Sequence, residues 1–299
     1  MSKKVLAIYY SQSGQLGEII DCFTAPLIES GASVEKVSIK PVSDYAFPWT
    51  GERFYSVMPD CVLGITKELA PFKLKESSYD LIIIGYQAWF LFPSIPSNSL
   101  LNDPEFRTIV KNTPVITITG ARNMWLNAFE GVKKSLSEAG ANLVGNIALV
   151  DKHPNIVSFV TIFHWLLKGK KDRYLNIFPI PGVAEPDIVH AKVYGSIVLP
   201  YLNKNNWDGM QAALVRDKAV ELKYILWLLE SKAVPTYTVC ANFIVKRKKR
   251  TAWLVVFKYY LLFALFIGAP ILIVIDAIFI KPFLSGRIRA KKQYYLELN

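Results

Sequence analysis

The chain has 299 residues, 52 % of them apolar and 20 % charged, which excludes a disordered or collagen-like chain and fits one large domain with an appendage. Its formal charge of +11 is unevenly spread: residues 246–299 carry 11 Lys and Arg against 2 Asp and Glu, leaving residues 1–245 close to neutral. A basic excess around the most apolar stretch suits an anionic lipid surface, and apolar runs do not help to read DNA, so no nucleic-acid partner is expected.

Residues 4–10 (KVLAIYY) form a short apolar run of β-formers that stops at Ser11-Gln12-Ser13-Gly14. The six apolar residues before Ser11 are too few for a signal-peptide core, so export is not expected. Leu16, Ile19, Ile20, Phe23 and Leu27 then recur at helical spacing. Residues 34–39 predict a second strand. Residues 79–85 (YDLIIIG), 114–120 (PVITITG) and 143–151 are apolar runs of the kind buried on both faces of a sheet. Helices are predicted between them near 60–70, 98–112 and 126–140. This alternation implies an α/β fold with a doubly wound parallel sheet. Five strands in about 150 residues fit the flavodoxin-like order 2-1-3-4-5, whose ligand crevice lies beyond the carboxyl ends of strands 1 and 3.

Residues 153–181 interrupt the pattern with an apolar insertion centred on 156–167, and a helix over 186–202 closes the sheet. The expected division is a flavodoxin-like domain over 1–202 and a helical extension over 203–299. Residues 207–232 predict one amphipathic helix. Residues 251–283 form a hydrophobic membrane segment whose stretch without charges, 259–275, has 17 residues, the lower limit for a span. Gly268-Ala269-Pro270 falls in its middle, and both basic flanks prefer the cytoplasmic side. A helix–break–helix hairpin dipping into the cytoplasmic face of the membrane satisfies both flanks. A single kinked span and a buried helix pair are the alternatives.

The loop Ser11-Gln12-Ser13-Gly14-Gln15-Leu16 follows the first strand and enters a helix, where backbone N–H groups and the helix dipole favour a phosphate. It holds no Lys or Arg and is neither G-x-G-x-x-G nor a Walker loop, so Rossmann and P-loop readings are disfavoured. Strand three runs into Tyr86-Gln87-Ala88-Trp89-Phe90, and strand four into Gly120-Ala121-Arg122-Asn123 with Trp125 just beyond. Backbone amides there can bond the polar edge of an isoalloxazine, an aromatic ring can border its face, and Arg122 can support negative charge on it. Either tryptophan alone fits simple core packing equally well. Together the three loops argue for FMN.

The opening VLAIYYSQSGQLGEI resembles a flavodoxin-type phosphate loop through Ser11, Ser13 and Gly14, with Leu16 standing where that pattern has a hydroxyl. The resemblance covers residues 1–202. More narrowly, the whole chain with its basic hydrophobic tail resembles the DarA-type proteins of dialkylresorcinol and flexirubin pigment clusters, often labelled dialkylresorcinol condensing enzymes. That resemblance implies an aromatase that oxidises a 2,5-dialkylcyclohexane-1,3-dione to the resorcinol, after a partner ketosynthase has made the ring.

The residues speak against condensation. A ketosynthase needs a nucleophilic cysteine held near histidine and asparagine, whereas Cys22 falls in the first predicted helix and Cys61 and Cys240 have no adjacent partner in sequence. They form no CxxC pair either, which argues against a zinc site or a disulfide framework, and no metal-ligand spacing is present. For dehydrogenation the candidate base is His153, after strand five, with Arg53 and Tyr55 as donors to the dione oxygens. A solvent-bonded loop histidine and aromatic packing are the plain alternatives for these positions. Two other functions share the fold: a membrane-associated NAD(P)H:quinone oxidoreductase, and a flavodoxin-like electron carrier, which the near-neutral residues 1–245 disfavour. By analogy with flavodoxin-fold enzymes, whose sites often lie between subunits, a second copy of the chain is a further candidate partner.

Overall fold

A computed structural model describes residues 2–281 and 284–298. Its strands are β1 (Lys4–Tyr9), β2 (Ser33–Ser38), β3 (Leu81–Tyr86), the two-residue ribbon β4 (Ala88–Trp89) and β5 (Phe92–Pro93), β6 (Pro114–Ala121) and β7 (Asn142–Val150). Five of them pair in parallel in the order β2-β1-β3-β6-β7. With the ribbon left out this is the doubly wound 2-1-3-4-5 sheet. Alternation along the strands feeds two cores. Leu6, Ile8, Ile82, Ile84 and Val115 meet Phe106 and Phe129 on one face. Val5, Ala7, Leu81, Ile83 and Ile118 meet Leu16, Ile20 and Phe23 on the other.

The helices are α1 (Gln15–Glu29), α2 (Gly51–Ser56), α3 (Met58–Val62), α4 (Ile95–Leu101), α5 (Pro104–Val110), α6 (Leu126–Glu138), α7 (Asn155–Lys168), α8 (Glu185–Lys204), α9 (Met210–Arg216), α10 (Tyr224–Val245), α11 (Arg250–Phe263), α12 (Ala269–Ile275) and α13 (Ser285–Glu297). Three differ from the expectation. The helix predicted near 60–70 ends at Val62, because Gly64 turns left-handed (φ 65°) and its carbonyl accepts from Asn98 at 2.6 Å. The one predicted over 98–112 divides at Asp103, which caps the Phe106 N–H at 2.8 Å with Pro104 as the first residue of α5. The one predicted over 207–232 divides around Val220, which adds a parallel bridge to β7 at Ala148. Its second part, α10, continues through Pro235 to Val245.

The hydrophobic tail also differs, since no hairpin forms. Arg250–Phe279 is one helical run of 30 residues. A π turn over Ala264–Gly268 precedes Pro270 and takes up its missing N–H without ending the helix. The tail is no buried core helix either, because only 11 % of its most apolar window is buried. By length and composition it can cross a membrane. Residues 282 and 283, the end of the expected segment, lie outside the described residues.

Both ends of the tail are tied to the same body. Near its start Phe257 is buried with Tyr55, Met58 and Tyr237. Near its end Asp276, 2 % exposed, accepts a 2.8 Å hydrogen bond from the Tyr224 hydroxyl at the head of α10. The chain then returns through α13, whose Tyr295 is buried against Trp125 in the β6/α6 layer.

Candidate functional site

The turn between β1 and α1 requires glycine. Gly14 caps the helix at φ 90°, ψ −30°, a left-handed conformation that L side chains resist. No side chain caps α1 through this residue. Ser11 Oγ accepts from the Gly17 N–H at 3.3 Å, while the Gln15 and Leu16 N–H groups have no partner among the described residues. The Gln15 side chain is committed elsewhere: its Oε1 accepts from the Val183 N–H (3.0 Å) and its Nε2 donates to the Val183 carbonyl (3.1 Å). This buried clamp ties residue 183 to the first turn of α1.

In front of that turn lies a cavity of about 500 Å³. The crevice loops supply one half of its wall: Gln12, Ser13, Gln15 and Leu16 from the first loop, Gln87, Ala88, Trp89, Phe90 and Leu91 from the ribbon, and Gly120, Ala121 and Arg122 from the end of β6. The helices that follow supply the other half, with Phe159, Ile162 and Phe163 of α7, Lys232 and Tyr237 of α10, and Tyr260, Phe263, Ala264 and Gly268 of the tail. Trp89 stands edge-on to Tyr45 and Trp49, ring centres 5.1 Å away in each case. Two polar atoms of the wall, Trp49 Nε1 and Gln87 Oε1, are buried without a partner.

The ribbon is strained. Phe90 (φ 47°) and Leu91 (φ 71°) are both left-handed, as a two-residue primed hairpin turn demands, yet neither is the glycine or asparagine such turns favour. Tertiary contacts hold it in place. Asn127 Nδ2 donates to the Leu91 carbonyl at 2.9 Å, Cys61 Sγ donates to the Trp89 carbonyl at 3.1 Å, and the Phe90 ring lies 4.8 Å from that of Phe54.

Arg122 carries the charge at the sheet edge of the crevice, across from Lys232 of α10. Its Nη1 donates to the Asn155 carbonyl (3.0 Å) and side-chain oxygen (2.9 Å), and its guanidinium lies 5.8 Å from the centre of the Phe159 ring. Burial lowers its pKa to about 10, with Tyr237, Asp151 and Glu230 opposing the shift, so it stays cationic at neutral pH. Behind the wall, Glu230 of α10 is 2 % exposed and accepts from the Leu126 (3.3 Å) and Asn127 (2.7 Å) N–H groups at the start of α6. Burial raises its carboxyl to about 7, against those two bonds and the Arg122 charge. Burial likewise pushes the Tyr237 hydroxyl well above its ordinary value.

Gln12, Ser13, Gln15, Leu16, Gln87, Ala88, Trp89, Phe90, Gly120, Ala121 and Arg122 therefore share one wall, with Ser11 and Gly14 flanking it. Other residues singled out in the sequence do not reach it. Tyr86 points into the β6/α6 layer and is fully buried there, Trp125 packs on Phe129 and Tyr295, and the Asn123 amide donates to Asn155 Oδ1 at 3.1 Å. None of the three expected proton-handling groups lines the cavity. His153 Nδ1 is paired with Asp151 Oδ1 at 2.6 Å, Tyr55 is buried among Phe54, Met58 and Phe163, and Arg53 is exposed, its guanidinium 5.2 Å from the Tyr45 ring centre. In their place stand Lys232, Tyr237 and Tyr260. The burial of Tyr237 depends on α10 running past Pro235, where the sequence pattern signals a stop.

No family model and no curated protein matches the chain. Among solved structures it is similar to a flavoprotein in complex with FMN from Lactobacillus acidophilus NCFM, with 18 % identity over 49 % of this chain and 93 % of that one and a TM-score of 0.40. It is also similar to a flavodoxin from the domain Archaea (11 % identity, 67 % of this chain and 99 % of that one, TM-score 0.37). A third is oxidised flavodoxin 2 from Bacillus cereus (18 % identity, 56 % and 98 %, TM-score 0.31). Likeness at this level carries no statement about ligand or chemistry.

Proposed function

We propose that the chain is a membrane-associated FMN oxidoreductase, and within that class an aromatase that converts a 2,5-dialkylcyclohexane-1,3-dione into the dialkylresorcinol. The observation that carries the reading is the cavity, walled on one side by the loops of a doubly wound sheet and on the other by an apolar helix with an exposed outer face. The residues present fit FMN. The unpaired first-turn N–H groups of α1 with Ser11 and Ser13 suit a phosphate, and the partnerless Gln87 Oε1 and Trp49 Nε1 suit a polar ring system. When bound, FMN supplies the two-electron acceptor for the hydride that leaves C5 of the dione as a proton leaves C4, after which enolisation completes the aromatic ring.

The chain's own groups account for the rest. A cyclic 1,3-dione is readily enolised, and Arg122, fixed by Asn155, offers a permanent cation to its oxygens. Tyr237, with its hydroxyl kept protonated by burial, serves as a hydrogen-bond donor rather than a base. Lys232 and Tyr260 are the remaining proton-carrying groups of the wall. Phe159, Phe163 and the tail exclude water. The dione comes from a partner ketosynthase, following the resemblance described above. Docking as an electron carrier fits less well, because α10 and the tail, rather than a free surface, line the far side of the crevice.

The test is an anaerobic absorption spectrum of the purified full-length chain, before and after addition of the dialkyl dione. Flavin bleaching in step with resorcinol formation is the expected result. Bleaching by NAD(P)H alone would favour the quinone oxidoreductase, and no flavin after reconstitution with FMN would remove the mechanism.

A further inference from the structure

The cavity does not end at the crevice. Phe263 lines it and is also 58 % exposed, so its wall is continuous with the outer apolar face of the tail. At that level Ala264, Gly268 and Ala269 line the cavity beside Leu265 and Leu272, and their small side chains leave room where the π turn widens the helix. Opposite stand Phe159, Ile162 and Phe163 of α7. The Phe159 ring lies 6.2 Å from the exposed Phe266 ring and 5.8 Å from the Arg122 guanidinium. One aromatic side chain thus separates the cation of the crevice from the outer surface.

We propose that the gap between α7 and the tail is a binding site for one long alkyl chain of the substrate, entered from the lipid side past Phe159 and Phe266. Its use by a dione rests on the function proposed above; the apolar gap itself does not. The chain lies among Ile162, Phe163, Ala264 and Gly268 and leaves the oxygenated ring at Arg122. Continuity with the outward apolar face identifies the occupant. A molecule dissolved in the bilayer reaches the gap without passing through water, and a segment with a polar backbone does not.

The experiment uses the full chain in neutral detergent micelles with a dodecanol carrying a terminal diazirine, a butanol analogue as control, and cross-links mapped by mass spectrometry. Saturable labelling of Ile162 and Phe163 by the long probe, displaced by a long-chain dialkylresorcinol and not by phosphatidylcholine, is expected. Labelling of the outward Val255 and Val274 should not saturate, which provides an internal control. Gly268→Leu is the blocking variant. A Cβ there meets nothing closer than the Phe263 carbonyl at 3.9 Å, and leucine is the better helix former. It should lower α7 labelling at least about tenfold, the equivalent of two buried methylenes, with the circular dichroism spectrum unchanged. Phe266→Ala should speed labelling. Indifference to probe length or to Gly268→Leu, or displacement by phospholipid alone, would overturn the proposal. So would an unlabelled α7 in a chain that sediments as a dimer, because a second copy would then cover the gap. Saturable labelling in a chain that binds no flavin would leave this site standing without the redox reading, and dione oxidation without labelling would do the reverse.

Discussion

Gln15 shows how one residue type serves two purposes at a crevice. Its backbone belongs to the first turn of α1, while its side chain replaces a missing strand partner for Val183. Gln15→Ala leaves a buried N–H and C=O unpaired and should cost about 1–3 kcal/mol, read as a lower denaturant midpoint. Arg122→Gln keeps hydrogen bonding to Asn155 but removes the cation, and should reduce dione turnover about a hundredfold with little change in thermal stability. Glu230 links stability to pH. Its carboxyl, raised from 4.5 to about 7 by burial, favours the protonated form in the folded chain. Its contribution is therefore complete below about pH 4.5 and is lost as pH rises through about 7, an effect of up to about 3 kcal/mol. Glu230→Gln should flatten that part of the profile, and thermal unfolding at pH 5 and pH 8 would show whether it does.

At the scale of elements, four of the five core strands were legible as apolar runs bounded by turn residues, the edge strand β2 (SVEKVS) only by its place in the alternation with helices, from which the order also followed. The loops at the crevice edge were legible for the same reason. Which way a loop side chain turns was not: His153 is held by Asp151 two residues before it, a local bond that no periodicity reveals. The tail was legible as apolar but not as continuous, since Gly268-Ala269-Pro270 signals a break that the π turn absorbs. Asp276 explains why an acid persists in so apolar a helix. It faces the body and fixes the tail to Tyr224, whose hydroxyl is raised to about 12 by burial and by this carboxylate. Asp276→Leu leaves that hydroxyl without its partner, whereas Asp276→Asn keeps an acceptor. The leucine variant alone should lower the unfolding temperature, by about 1–3 kcal/mol in stability terms.

On the scale of the whole molecule, the two ties of the tail decide how it can meet a bilayer. A helix of 30 residues is about 45 Å long, and one anchored to the same body through Phe257 and through Asp276 lies along that body. The geometry fits a helix in the plane of one leaflet with Lys and Arg at both ends, which satisfies the same charge rule as the expected hairpin. Val255, Ile271 and Val274 are 47–57 % exposed on the tail. Changing all three to serine should release the chain from anionic vesicles in a flotation assay without altering its unfolding. Truncation is a poorer test, because it also strips Tyr295 from the core. The placement of the tail has a thermodynamic consequence. One helix walls the cavity and carries the exposed apolar face that we propose meets lipid, so on that proposal any ligand that favours the closed wall changes the free energy of membrane binding by the amount that lipid changes the ligand's own affinity. Reciprocity of this kind would make the bilayer an effector of ligand binding in the proposed function, and ligand occupancy a determinant of where the chain resides.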